Sequence, residues 1–581
     1  MSRPRLLIPV LLAALPAFGQ GVMPLSEVRA GMSGYGKSVF KGGKIERFEF
    51  EVLGVQENAA PGRARIIVKC SGGPLADTGI IAGMSGSPCY IDGRLVGALS
   101  TGFSYEKEAI GGITPIQDML DQLKDVPSQP GKGTPLVLPK LAPPTVIKSA
   151  LQGQMIPLSS VFGAPEPGAL EVPVAGTPLS PQTRALWDGL PVRFVSAPGL
   201  SPDANAPASP LEPGGMVAIN LVQGDLNLTV AGTITYAQGK KLLLFGHPLF
   251  NLGAVDLPLW SASVATVLPS YATSMKLAMP VKEVGALRED RASGVAGVLG
   301  SDAQMIPMRI GLNLGGRRVL NFRYELMDNP LLTPQLAATV LSQTLESQVR
   351  GVGFQSLSLQ GNIKLAGQDP IQIDSVVADL NSARLSTFVG GMLQAICFNP
   401  FEKPEIEGIS LTVKAEEKLD LAGVAGVRVL KGRVRPGDTL PIVVTLQNVQ
   451  GVRENATLNI QIPDSAKPGK ATLLVGDGLS LMAADPDQQS IQVSSLSDVV
   501  RLLNGALRNN HAYAILVQDD TGVGLRGGRI EGLPPSVANL VASDGGSDGG
   551  TLKRRIVGRS VLPLDREVRG LASMELEIEN D

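Results

Sequence analysis

Gly83-Met84-Ser85-Gly86-Ser87-Pro88-Cys89-Tyr90-Ile91-Asp92-Gly93-Arg94-Leu95-Val96-Gly97-Ala98 is the stretch on which the fold turns. Two short apolar runs flank Asp92-Gly93, a dipeptide made for tight hairpins, so the segment predicts strand, turn, strand. Ser85 stands just ahead of it, between glycines. A nucleophilic serine needs an exposed hydroxyl on a tight turn and backbone N–H groups aimed at the developing oxyanion. Glycine permits that crowded backbone, and Pro88 fixes the exit into the next strand. On this reading the N–H groups of Gly83 and Ser85 form the oxyanion hole. The same residue types also suit an ordinary β-turn. Gly31-Met32-Ser33-Gly34 repeats the first four residues without the Ser-Pro exit or the hairpin, and reads as a glycine turn.

Strands continue on both sides. Phe48, Phe50, Val52 and Leu53 open one, Ile66–Val68 another, and a short helix near Ile116–Leu123 closes the unit. After a Pro-, Ala-, Gly- and Ser-rich connection, with Pro198–Pro213 reading as exposed, strands return at Val217–Val222, Leu228–Tyr236 and Lys241–Phe245. Leu336, Val340, Leu341 and Leu345 recur at helical spacing within Pro334–Val349. Thr439–Gln447 and the alternating Leu458, Ile460 and Ile462 mark a separate β module, for which a sandwich of the immunoglobulin-like kind is expected. The residues 543–550 read as a flexible loop or a boundary.

A serine hydroxyl is a weak nucleophile without an adjacent base. The chain has 2 histidines. His511 follows Asn509-Asn510 in the C-terminal module, where a surface role is expected. His247 ends an apolar strand between Gly246 and Pro248, which sets an imidazole at a strand mouth, as a general base requires. A structural histidine is the alternative at such a position.

The rest of the composition bounds the answer. A chain of 581 residues implies roughly three to five domains. Charged residues make up 18%, and 51 basic against 53 acidic residues leave a net charge of −2 without like-charge blocks. That excludes the electrostatic footprint of a nucleic-acid or acidic-membrane binder. Arg3 and Arg5, the apolar run Leu6–Phe18, and small Ala17 and Gly19 before Gln20 read as a signal peptide. The run is short for a bilayer. The expectation is an extracytoplasmic protein, periplasmic or secreted, with no stable membrane insertion after signal cleavage. The 3 cysteines, Cys70, Cys89 and Cys397, make neither a disulfide framework nor a metal pattern. Cys70 and Cys89 flank the Ser85 segment and either pair in an oxidising compartment or serve as small buried hydrophobes. No cofactor fingerprint or transition-metal site is expected.

Gly79–Pro88 with Ile91–Ala98 resembles the nucleophile region of the SpoIVB-type serine peptidases, the S55 family. Gly232-Thr233-Ile234-Thr235 and Leu244–Pro248 are similar to its histidine region. Further similarity runs through Ser38–Phe40, Phe48–Val55 and Ser274–Gly297. The resemblance implies a mainly β, chymotrypsin-like double β-barrel, with Ser85 as nucleophile and His247 as base, acting on protein or peptide substrates. Here the Ser segment precedes the His segment, which implies a circularly permuted order. The family's acidic residue ahead of the nucleophile has no counterpart in Val68–Gly73. Asp77 is the nearest substitute, though off the motif position; Asp256 and Asp290 on the His side, or a dyad, are alternatives.

The expected organisation is a signal peptide over 1–19, a barrel half with Ser85 over 20–125, and a Pro-rich connection over 126–215. A barrel half with His247 follows over 216–300, then an additional β/α region over 301–404 and the sandwich over 405–581. The expected function is an exported serine peptidase cleaving protein substrates, with the protein itself as one candidate. A non-catalytic binding scaffold on a former peptidase fold is the alternative.

Overall fold

The structure is a computed structural model. It describes residues 21–124, 126–127, 138, 143–162, 172–190, 192–196, 205–315, 319–349, 353–380, 382–484, 493–525, 528–530, 532–543 and 551–579. The expected signal peptide, residues 1–19, lies outside them, as does all but the first residue of 543–550.

Six strands close a first barrel: β1 (Ser33–Val39), β2 (Ile45–Ala60), β3 (Arg63–Ser71), β4 (Ser87–Ile91), β5 (Arg94–Gly102) and β6 (Ile110–Pro115). Their order around it is β1-β2-β3-β6-β5-β4. The β4–β5 hairpin turns at Asp92 and Gly93, whose φ values of 51° and 74° are the left-handed pair of a type I′ turn. Strict alternation along β2 sends Phe48, Phe50 and Val52 inward and Arg47, Glu49 and Glu51 outward. Each of those buried side chains contributes about 1.5–3 kcal/mol of transfer free energy.

The connection then supplies two short parallel strands, β7 (Val172–Gly176) and β8 (Val192–Ser196). A second set follows: β9 (Met216–Gly224), β10 (Leu228–Gln238), β11 (Lys241–Leu244), β12 (Gly253–Leu268), β13 (Met275–Arg291) and β14 (Gly294–Leu299). Their pairings close the ring β9-β10-β11-β14-β13-β12 and back to β9. Counted from the first strand of each ring, that is the same order as in the first barrel. The two barrels are thus repeats of one topology. Apolar seams join them: Tyr90, Leu95, Ile116 and Met119 meet Leu243, Ala296 and Val298 on one side, and Val39 meets Met216, Ala218 and Val264 on the other.

Strands β15 (Met305–Leu314), β16 (Val319–Met327), β17 (Gln355–Leu365), β18 (Ile371–Asp379) and β19 (Ile406–Glu416) extend the second barrel's sheet beyond β9. The helices Thr333–Gln348 and Ala383–Cys397 share its core. Here the structure corrects one expectation. β19 pairs with β15 and β17, because its alternating Ile409, Leu411 and Val413 complete that core. The C-terminal module therefore begins after Glu416 and not at 405. Part of the connection over 126–215 packs on its neighbours: Val146, Ile147 and Ala150 are buried in the same core, and Gln394 bonds both backbone groups of Ile156.

Beyond β19, sheets of four and six strands face each other across a common core that includes Leu440, Leu458, Leu473 and Leu516. This is a sandwich-like module, and His511 opens one of its strands. Among the described residues no helix is long and apolar enough to cross a membrane.

Candidate active site

Ser85 lies between the third and fourth strands of the first barrel, and His247 between the third and fourth of the second. The repeat of topology thus brings equivalent loops face to face.

The Ser85 loop is shaped from behind by the second barrel. Thr233 donates its backbone N–H to the Ser85 carbonyl at 2.8 Å and its hydroxyl to the Gly83 carbonyl at 3.0 Å. The Thr235 hydroxyl donates to the Gly86 carbonyl at 2.8 Å. Three carbonyls are thereby turned into the barrel interface. Gly83 and Gly86 carry φ values of 96° and 94°, a region that residues with a Cβ avoid. A Cβ on Gly86 would lie 2.0 Å from the Thr233 carbonyl oxygen. Among the described residues the amides of Gly83 and Ser85 donate to no protein acceptor. Buried amides are seldom left so, and two on one tight loop form the pair of donors an oxyanion needs. Removing the Thr233 hydroxyl alone, in Thr233→Val, should slow acylation of Ser85 roughly 10- to 100-fold by letting these amides drift; initial-rate labelling of Ser85 measures it.

The His247 loop is pinned to the first barrel. Thr114 donates its hydroxyl to the Gly246 carbonyl at 2.7 Å. A Cβ on Gly246 would stand 2.8 Å from Ala98 and 3.2 Å from Ser100. After the histidine, Asp290 accepts amides from Leu249, Phe250 and Leu252 at 2.7, 2.8 and 3.2 Å. Burial pushes the Asp290 carboxyl above the usual carboxylate range, against the pull of these amides. The imidazole Nδ1 lies 2.7 Å from the Pro248 carbonyl oxygen. A carbonyl only accepts, so the neutral ring carries its proton on Nδ1 and offers Nε2 as the base. His247 is 7% exposed. Desolvation lowers its pKa to about 4, the Pro248 bond opposing. The free base therefore dominates at neutral pH, and acylation should lose its rate on acidification only near pH 4, as a pH–rate profile between 3 and 8 will show.

Ser85 and His247 line one cavity of about 290 Å³, with Ile81, Leu99, Ser100 and Arg193 on its walls. His247 also lines a second cavity of about 320 Å³ beyond it, with Arg63, Arg65 and Phe250. Ser100, Thr101 and His247 line both cavities, so the two adjoin at the histidine.

Of the residues named from sequence, Ser85 and His247 line one cavity, and Gly83 lies on the Ser85 loop two positions ahead of the serine. Asp77 does not join them: it is exposed on the helix Leu75–Thr78 and lines neither cavity. Asp256 pairs with the buried Arg288 guanidinium. Asp290 spends both carboxylate oxygens on backbone amides. The group on His247 Nδ1 is a peptide carbonyl. His511 bonds Asn510 in the C-terminal module. Cys70 and Cys89 are free and buried, and burial pushes the Cys70 thiol up to about 12, so both act as small hydrophobes. Of the expected glycine turn Gly31–Gly34, Gly31 turns with φ 83°, while Ser33 and Gly34 are already the first residues of β1. Sequence reading missed Thr233 and Thr235 as clamps, although they lie within a stretch it singled out, and missed Lys276 beneath Gly83.

Two like barrels, with Ser85 and His247 on equivalent loops, make a double β-barrel of the peptidase-like kind. Residues 22–120 match the family model described as SpoIVB peptidase S55. That span holds the whole first barrel with Ser85 and is similar to that family. The second barrel and His247 lie beyond the match. No curated protein and no solved structure matches the chain.

Proposed function

We propose that this protein is an exported serine endopeptidase acting on protein substrates through Ser85 and His247, with its barrels in permuted order. One observation carries the reading: residues 162 positions apart, on equivalent loops of two repeated barrels, line one cavity beside two unengaged amides. The Ser85 Oγ would attack the scissile carbonyl while His247 Nε2 takes its proton. The oxyanion would rest on the Gly83 and Ser85 amides, the protonated imidazole would pass its proton to the leaving amine as the C–N bond breaks, and water would release the acyl group. The Pro248 carbonyl fixes the tautomer, as a triad carboxylate does, but brings no full negative charge to the imidazolium. A slower enzyme than a full triad is expected.

Among the described residues no carboxylate bonds His247, which favours the second reading, a binding scaffold on a peptidase fold. Hydrolysis of denatured, dye-labelled casein by the purified protein, beside Ser85→Ala, separates them. Cleavage that the variant loses supports the peptidase. Neither cleavage nor reaction of Ser85 with a fluorophosphonate, in protein shown to be folded, supports the scaffold.

A further inference from the structure

Lys276 is the second residue of β13, beneath the Ser85 loop, and is 2% exposed. A buried ammonium is costly unless paired, yet no carboxylate bonds it among the described residues, and burial is the sole cause of its lowered pKa, about 7. Its Nζ lies 2.8 Å from Ser38 Oγ, to which Ser87 also donates at 2.9 Å. The other groups about the amine are the Met216 sulfur at 3.8 Å and the Phe40 ring at 5.6 Å. Neither β1, β4 nor β9 thus turns a titratable group toward it. The side chain stem runs under the oxyanion loop: Cβ and Cδ lie 3.3 Å from where a Gly83 Cβ would stand. The backbone closes the same contact, since Lys276 N–H donates to the Ala82 carbonyl at 3.0 Å and Ala82 N–H to that of Ser274 at 2.8 Å.

We propose that Lys276 is a positioning residue of the nucleophile loop: its charged amine, anchored on Ser38, holds the stem against Gly83 so that the Gly83 and Ser85 amides face the oxyanion. The proposal rests on the Ser85–His247 reading. A positive charge behind the loop also favours the negative charge that develops in front of it. Loss of that proton loosens the anchor, so acylation falls as pH rises through about 7.

The folded-state pKa lies below the unfolded value, so the unfolded chain binds more protons between the two. Stability therefore rises with pH from about 7 toward 10.5, and the buried charge is a burden below 7. A lysine kept at such a cost separates function from packing. Lys276→Met, similar in length and uncharged, should melt higher than wild type at pH 6, with the gain shrinking toward pH 10. The same variant should react with a fluorophosphonate on the order of 10- to 100-fold more slowly at pH 6 and show no fall near pH 7. Lys276→Arg, charged at every pH used, should restore the rate without that fall, and Ser38→Ala should lower it in a protein of near-normal melting temperature. Wild-type rate and an unchanged pH profile in Lys276→Met would overturn the proposal and leave the peptidase reading standing. A folded wild type that takes no reagent at any pH would overturn that reading, and the proposal with it.

Discussion

Alanine at His247 is expected to slow acylation of Ser85 by about 10²- to 10⁴-fold, the usual worth of a positioned general base. Ser85→Ala should abolish it. Because the pair acts as a unit, the double variant should be no worse than Ser85→Ala alone. The structure gives these numbers a ground. His247 is buried, its Nδ1 proton is committed to the Pro248 carbonyl, which leaves the Nε2 lone pair free of that bond, and the residue lines the cavity that Ser85 also lines. Imidazole-sized solutes added to His247→Ala should recover part of the rate, since that cavity is about 290 Å³. Single-turnover kinetics with an activated ester measure all four cases.

Asp290→Ala should cost on the order of 3 kcal/mol of stability and most of the activity. The carboxylate holds the amides of Leu249, Phe250 and Leu252, and donors left buried without acceptors cost about 1–3 kcal/mol each. Water reaches part of this loop, which is why the sum is not the full product. Asp290→Asn keeps one accepting oxygen and should fall between. The activity loss follows from position: Pro248, whose carbonyl orients the imidazole, is next to the loop that Asp290 ties down. Urea unfolding reports the stability. A KM left near wild type with a depressed kcat would place the loss in orientation of the base.

Local chemistry made much of this fold legible. The Asp92-Gly93 hairpin is decided by two residues that tolerate positive φ, and nothing distant overrides it. The inward Phe48, Phe50 and Val52 are fixed by period-two alternation. Ser85 stands out through its glycines, and His247 through the scarcity of histidine. What stayed hidden depends on contacts between segments far apart in the chain. Thr233 and Thr235 are ordinary strand residues until the second barrel sets them behind Gly83 and Gly86, about 150 positions away. Lys276 reads as a surface lysine until Ser38 and Phe40 enclose it. The partner of His247 Nδ1 could not have been found among acidic residues, because it is a backbone carbonyl. The boundary near 405 was misread because a parallel pairing with β15 leaves no turn signal between the two strands.

The most direct test of the central claim is to map the residue that a fluorophosphonate modifies, by peptide mass spectrometry of the purified protein and of His247→Ala. The account predicts a single adduct on Ser85 that is lost or greatly slowed in the variant. An adduct on another serine, or one on Ser85 that forms equally fast without His247, would contradict it.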